Sequence, residues 1–342
     1  MQFRKIILIL TIIFSCSKEP SPQKFDLTVT ASTGGTVSSN GGTFDAGTEI
    51  VLTAIPEEGY AFKSWEGINE TTPTVTLILD KNTSINALFE LIPGWHPYDF
   101  NQITLTAPPF DGTIFITGDI ITAEDPSLFE KIEYKGTATR QMYDRRNGGA
   151  FIQIQPHLFD TTFADGLKTE IQINPEFNLE EATKEANKYA FLVGQLSKEL
   201  RKDVQTMWIH KGKEAYGGGN NNILIHTGMT EFYENFGTGI VEETIIHEAA
   251  HTSIDAYFYP NRLTSGAGWI EAVEKDNDCY ISTYAQDYPY REDIAELFPL
   301  YIAVRYFPER ISDDLRDKIL SCSLNRIRYF DAQGFDMSLY EN

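Results

Sequence analysis

Basic residues are scarce in this sequence, with 28 lysines and arginines against 49 aspartates and glutamates and a formal net charge of −21. Nucleic acids and anionic membranes are polyanions, so this balance argues against either as a partner. Cysteine is scarcer still. There are 3, none in a CxxC spacing, which leaves thiolate metal sites and thioredoxin-like redox chemistry without support. Long apolar runs are absent: the segment Ile6 to Phe14, broken by Thr11, is too short to span a bilayer. Gly217-Gly218-Gly219-Asn220-Asn221 lacks the Lys-Ser/Thr ending of a phosphate loop and reads as a flexible turn bordering a cleft.

What is present is an ordinary folding composition, 42% hydrophobic and 23% charged over 342 residues, enough for two modest domains. Arg4 and Lys5 ahead of the short apolar run give the shape of a secretory signal. Residues 17–24 are polar with two prolines and read as a tether. From Phe25 to Ile92 short alternating runs, such as Leu27-Thr28-Val29-Thr30-Ala31, are separated by glycine turns and predict a small all-β module. Prolines at 93, 97, 108 and 109 mark residues 93–110 as a linker. Residues 111–342 change character. Strands are expected at Thr113–Ile116, Phe151–Gln155, Thr169–Ile173, Thr206–His210 and Asn222–His226. Helices are expected at Leu179–Lys202, Ile240–Tyr257, Glu292–Tyr306 and Ile311–Leu324. Strands first and helices later predict an α+β domain.

Two resemblances concern the N-terminal part. Ile13-Phe14-Ser15-Cys16 resembles the lipobox of bacterial lipoproteins, which implies acylation of Cys16 and a lipid-anchored protein at the outer membrane or cell surface. Ser17-Lys18-Glu19 is similar to a short surface-export tag. With Cys16 assigned, Cys279 and Cys322 remain as the candidates for a disulfide; the sequence does not bring them together. Gly34-Gly35-Thr36-Val37, Ala46-Gly47-Thr48, Leu52-Thr53-Ala54, Pro56, Glu58-Gly59-Tyr60, Trp65 and Ala87-Leu88-Phe89 resemble a divergent internalin B-type repeat, present in one copy. That family implies a spacer or adhesive module without catalysis.

The chemistry is concentrated in Thr238 to His251. Thr238 is a candidate N-cap, Glu242 and Glu243 suit the positive end of a helix, and no proline or glycine follows before Pro260. His247 and His251 stand one turn apart, so both imidazoles project from one face toward one point and can share a Zn²⁺. Glu248 lies between them, placed to take a proton from the water that such a metal activates. A glycine at 254 and a histidine at 257 would mark the three-histidine class, but Ile254 and Tyr257 stand there. The third ligand is then a downstream carboxylate, with Glu271, Glu292 and Glu296 all open by spacing. His226 reads as a structural histidine, although it could face the cleft.

The H-E-x-x-H helix, Ser282-Thr283-Tyr284-Ala285 and Glu292-Asp293-Ile294-Ala295-Glu296 together resemble zincin metallopeptidases of the anthrax lethal factor and Pro-Pro endopeptidase type, and related secreted bacterial peptidases. The resemblance implies a zincin-like α+β catalytic domain with Glu292 as third ligand and Glu296 behind the site. It implies Tyr284 as oxyanion donor, with Tyr288 and Tyr290 as alternatives, and Asp255 as an acid that orients a metal ligand from behind. The expected activity is extracytoplasmic zinc-dependent hydrolysis of a protein or peptide, with Glu248 as general base. A non-enzymatic surface adhesin with a degenerate peptidase domain, and a zinc amidase acting on cell-wall peptide, stand as the alternatives.

Overall fold

The computed structural model describes residues 23–57, 59–91, 98, 100–113, 120–255 and 266–341. The secretory segment with Cys16, residues 17–22 of the tether, residues 93–97 and 99 of the linker, residues 114–116 of the first expected strand and residues 256–257 of the expected catalytic helix lie outside them. The chain divides into two compact units, 1–92 and 93–342.

The first unit is all β. Its strands are β1 Lys24–Ala31, β2 Gly35–Val37, β3 Gly41–Asp45, β4 Thr48–Pro56, β5 Tyr60–Glu66, β6 Thr74–Leu79 and β7 Thr83–Leu91. Lys24, read as tether, already belongs to β1. The strands form a four-stranded sheet, β3-β1-β7-β5, and a three-stranded sheet, β2-β4-β6. Period-two alternation sends Leu27, Val29, Leu52, Ala54, Val75, Ile85 and Ala87 into one shared core beside Trp65. Gly34 is required at its turn, since φ is +99° and a Cβ would stand 2.1 Å from the Tyr60 ring.

The second unit is a mixed α/β region. Its strands are β8 Phe129–Thr137, β9 Arg140–Asp144, β10 Ala150–Ile154, β11 His157–Phe163, β12 Lys168–Ile173, β13 Thr206–His210, β14 Gly217–Gly219 and β15 Asn222–His226. Six of them form one sheet in the order β14-β15-β13-β12-β11-β8, and β9 pairs with β10 as a separate hairpin. Strands β12, β13 and β15 run parallel, and all five residues of β15 are buried, as expected of a strand with an Ile-Leu-Ile centre between two neighbours.

The helices are α1 Leu179–Gly194, α2 Lys198–Arg201, α3 Thr227–Phe236, α4 Ile240–Ala249, α5 Ala267–Lys275, α6 Thr283–Asp287, α7 Asp293–Tyr306 and α8 Asp313–Asp331. The order of strands then helices holds only in part, because α1 and α2 form the crossover between parallel β12 and β13. The single helix expected over 179–202 is two. Asn178 and Glu181 cap α1 reciprocally, while Ser197 caps a fresh start at α2. Of Gly217 to Asn221, read as a turn, Gly217–Gly219 is a strand at the sheet edge, while Asn220 and Asn221 make the turn into β15. Residues 98 and 100–110, read as linker, lie along the second unit. The Tyr98 hydroxyl donates to Asp331 at 2.9 Å, Asn101 donates to Asp317 at 3.0 Å, and Phe110 packs on the core and bridges to Ser282.

Cys279 and Cys322 form a disulfide with Cα atoms 5.2 Å apart, joining the segment before α6 to α8. No helix among the described residues is long and apolar enough to cross a membrane.

Candidate metal centre

Helix α4 starts at Gly239, not at Thr238. Gly239 is the N-cap at φ +73°, a left-handed turn that a β-branched residue resists. Glu242 and Glu243 occupy the first turn, as the helix dipole favours. The helix does not continue regularly to its end. Residues Ala250–Ile254 form one π turn, closed by the Asp255 N–H donating to the Ala250 carbonyl at 2.9 Å. His247 lies in the α-helical part and His251 in the π turn, with ring centroids 4.8 Å apart.

The two imidazoles meet at their Nε2 atoms, 3.2 Å apart. Glu292 joins them from the N-cap of α7, with its Oε2 3.0 Å from His251 Nε2 and 3.4 Å from His247 Nε2. This closes a triangle in which His251 and Glu292 are 41 residues apart in sequence. Glu296, one turn along α7, sits behind His247 with Oε1 3.3 Å from Nδ1, and its Oε2 accepts from the Ser282 hydroxyl at 2.7 Å. Such a carboxylate on the far ring nitrogen fixes tautomer and ring orientation. Glu271 is elsewhere, on the exposed face of α5 in a 2.8 Å pair with Lys275. Of the three carboxylates left open by spacing, one meets the imidazoles, one backs them and one is remote.

Ligands about 2.0–2.1 Å from one ion at tetrahedral angles stand about 3.3–3.4 Å apart. The three edges of the triangle, 3.0, 3.2 and 3.4 Å, fit that figure. The charges agree with the geometry. Burial alone would push the His247 imidazole down, but Glu292, Glu248 and Glu296 around it outweigh burial and push it up to about 9. Burial pushes the Glu292 carboxyl up, and the two imidazoles outweigh that and hold it well below the usual carboxylate range. The field at this point favours a cation. His247, Glu248 and His251 also bring ligand atoms within 4.8 Å of one another.

The remaining groups frame a cleft of about 330 Å³ lined by Arg145, Gly218, Tyr233, Glu248, Tyr284 and Arg291 among others. Tyr284, on α6, donates its hydroxyl proton to Glu292 Oε1 at 3.1 Å and accepts from Arg291 at 3.3 Å. Burial, then the Glu292 charge, pushes this phenol up to about 12, so it stays a donor at neutral pH. Tyr288 and Tyr290 are exposed, and neither lines the cleft. Asp255 is buried one turn past His251. Helix α7 is held from behind: Asp293, adjacent to Glu292, accepts from Arg326 at 2.6 Å and from the Trp269 indole at 3.1 Å.

Strand β14 closes one wall. The Thr252 hydroxyl accepts from the Gly219 N–H at 2.8 Å and donates to the Glu248 carbonyl at 2.9 Å, tying β14 to the turn that carries His251. Gly218 comes so close to α4 that no side chain fits there. His226 is structural. Its Nδ1 meets the Lys211 carbonyl at 3.1 Å, its Nε2 accepts from the Arg145 N–H at 3.4 Å, and its ring stacks on His210. Arg145 and Tyr233 carried no signal in the sequence, because the hairpin and helix that supply them reach the cleft only through the fold.

Residues 25–93 match the family model of the divergent InlB B-repeat domain. The first unit is therefore an InlB-type repeat module, of a kind used in surface proteins, and the match covers the strands from Phe25 onward. No curated protein and no solved structure matches the chain. The InlB-type module has its own core.

Proposed function

We propose that residues 93–342 form a zinc-dependent endopeptidase of zincin type, carried outside the cytoplasm behind an InlB-type repeat module and anchored through acylated Cys16. The observation that carries the reading is the convergence of His247 Nε2, His251 Nε2 and Glu292 Oε2 at 3.0–3.4 Å beside a free carboxylate in an open cleft.

His247, His251 and Glu292 hold the metal, with Glu296 and Ser282 fixing the His247 ring from behind. When bound, Zn²⁺ supplies Lewis acidity to a water and to the substrate carbonyl. Glu248 takes the proton from the attacking water on its carboxylate and passes it to the leaving amine. Tyr284 offers its hydroxyl to the carbonyl oxygen as negative charge gathers there, a contribution of typically a few kcal/mol. Arg291 keeps the Tyr284 hydroxyl and the Glu292 carboxylate in place.

The test is metal analysis and peptide turnover on the purified protein beside its Glu248→Gln variant. One zinc per chain is expected in both, with turnover reduced by about a hundredfold or more in the variant. A zinc-free parent, or a variant as active as the parent, sinks the reading. The repeat match favours a second reading, a surface adhesin with an inert C-terminal unit, and that reading gains from the same negative result.

A further inference from the structure

Three arginines stand within the seven residues from Arg140 to Arg146, and two are fully engaged. Arg140 grips Glu170 through two bonds of 2.9 and 2.8 Å, and Arg146 bonds Asp144 and Glu176. Arg145 differs. Its backbone is fixed through His226, while its guanidinium lies over Gly217, where a Cβ would stand 2.6 Å from Nη2. The side chain lines the cleft beside Glu248 and Gly218, and no carboxylate among the described residues pairs with it. In a chain with 49 acidic residues and a net charge of −21, a cation in the cleft with no acid of its own is unexpected as a structural device. The other cleft arginine, Arg291, is committed to Glu292.

The setting says what Arg145 meets. Among the described residues β14 pairs with no strand other than β15, and Thr252 takes the Gly219 N–H, so the edge ahead of Gly219 is where an extended peptide can add. A peptide added there passes under the guanidinium on its way to the metal centre. Beyond Gly218 a second cavity of about 330 Å³, lined by Tyr143, Arg145, Phe151 and Trp208, continues the path. A planar guanidinium free at that junction is a fork for a carboxylate.

We propose that Arg145 is a specificity residue that selects peptides carrying a carboxylate near the bond held over His247, Glu248 and His251. The carboxylate is an acidic side chain or a chain terminus. This rests on the peptidase reading for its substrate class.

The test uses full-length protein carrying Glu248→Gln, immobilised and exposed to a randomised octapeptide library in two forms, C-terminally amidated and free acid. The captured peptides are identified by mass spectrometry. Asp and Glu are expected to be enriched over Asn and Gln by about tenfold or more at one position of the amidated pool. Enrichment confined to the free-acid pool identifies the carboxylate as the chain terminus. Adding Arg145→Met removes the selection, and adding Arg145→Glu turns it toward Lys and Arg, with zinc content and melting temperature unchanged in both. No acidic enrichment, or enrichment that survives Arg145→Met, overturns the proposal. The captured peptides are then offered to the parent protein. Acidic selection without Glu248-dependent cleavage leaves the carboxylate site standing and defeats the peptidase reading alone.

Discussion

Gly218→Ala probes the contact between the sheet edge and the helix that carries His247 and Glu248. Gly218 is not in the left-handed region, so alanine can adopt its backbone conformation and the substitution acts through volume alone. The added Cβ would stand 2.0 Å from the Glu248 carbonyl oxygen and 2.9 Å from the Glu248 Cα, whereas ordinary contact begins near 3.4 Å. Both sides are backbone, so no rotamer relieves the clash, and β14 and α4 must part by about 1.4 Å. Overpacking of this kind costs about 1–3 kcal/mol. For a unit of this size that lowers the melting temperature by about 2–12 °C. The effect on turnover should be larger than the effect on stability. The strain falls on Glu248, the proposed general base, and stretches the Thr252–Gly219 bond, and a displacement of about 1 Å at a catalytic group can cost about a hundredfold in rate. The assay pairs turnover with zinc content. Zinc should stay near full occupancy, because His247, His251 and Glu292 are not struck, while kcat falls by about a hundredfold. A Gly218→Ala protein with parental kcat and melting temperature would show that β14 does not press on α4 at Glu248.

Glu292→Ala should lose both zinc and turnover while Glu271→Ala keeps both, since Glu271 is exposed and paired with Lys275; full zinc in the first variant moves the third ligand elsewhere. Replacing Cys279 and Cys322 together by alanine opens a loop of 43 residues and should cost about 4 kcal/mol, read by denaturant unfolding; an unchanged midpoint would contradict it. Burial lowers the His210 imidazole to about 4, against the pull of Asp144, and lowers His226 as well. Between pH 6.5 and 4 the unfolded chain therefore binds protons that the folded chain refuses. Stability falls as pH drops through that window, by on the order of 3 kcal/mol from His210. His210→Gln should flatten the pH dependence of the melting temperature below 6.5, and an equally steep profile in that variant would refute the assignment.

The elements that the sequence revealed are those whose pattern is local. The period-two runs and glycines of the first unit, β13 and β15, and the helix through His247 were legible because side-chain periodicity and capping act over a few residues. The break between α1 and α2 was not, since the residues up to Lys202 lack a proline and the new start depends on the Ser197 cap. The linker reading at residues 98 and 100–110 failed for a different reason. Prolines do deny regular hydrogen bonding there, but Tyr98 and Phe110 find apolar cover and partners on a unit whose surface the sequence does not display.

By itself the sequence determined that two imidazoles and a carboxylate share one helical turn, because a spacing of four along a helix is set by backbone geometry. It narrowed the third ligand to carboxylates on downstream segments. Only the tertiary structure brought Glu292 to both Nε2 atoms, set Glu296 behind one ring and left Glu271 in solvent. It also brought Arg145 and Gly218 of the edge strand to the cleft from positions 103 and 30 residues before Glu248. Such approaches depend on how sheet and helices pack, and packing is a property of the whole core that no local spacing encodes.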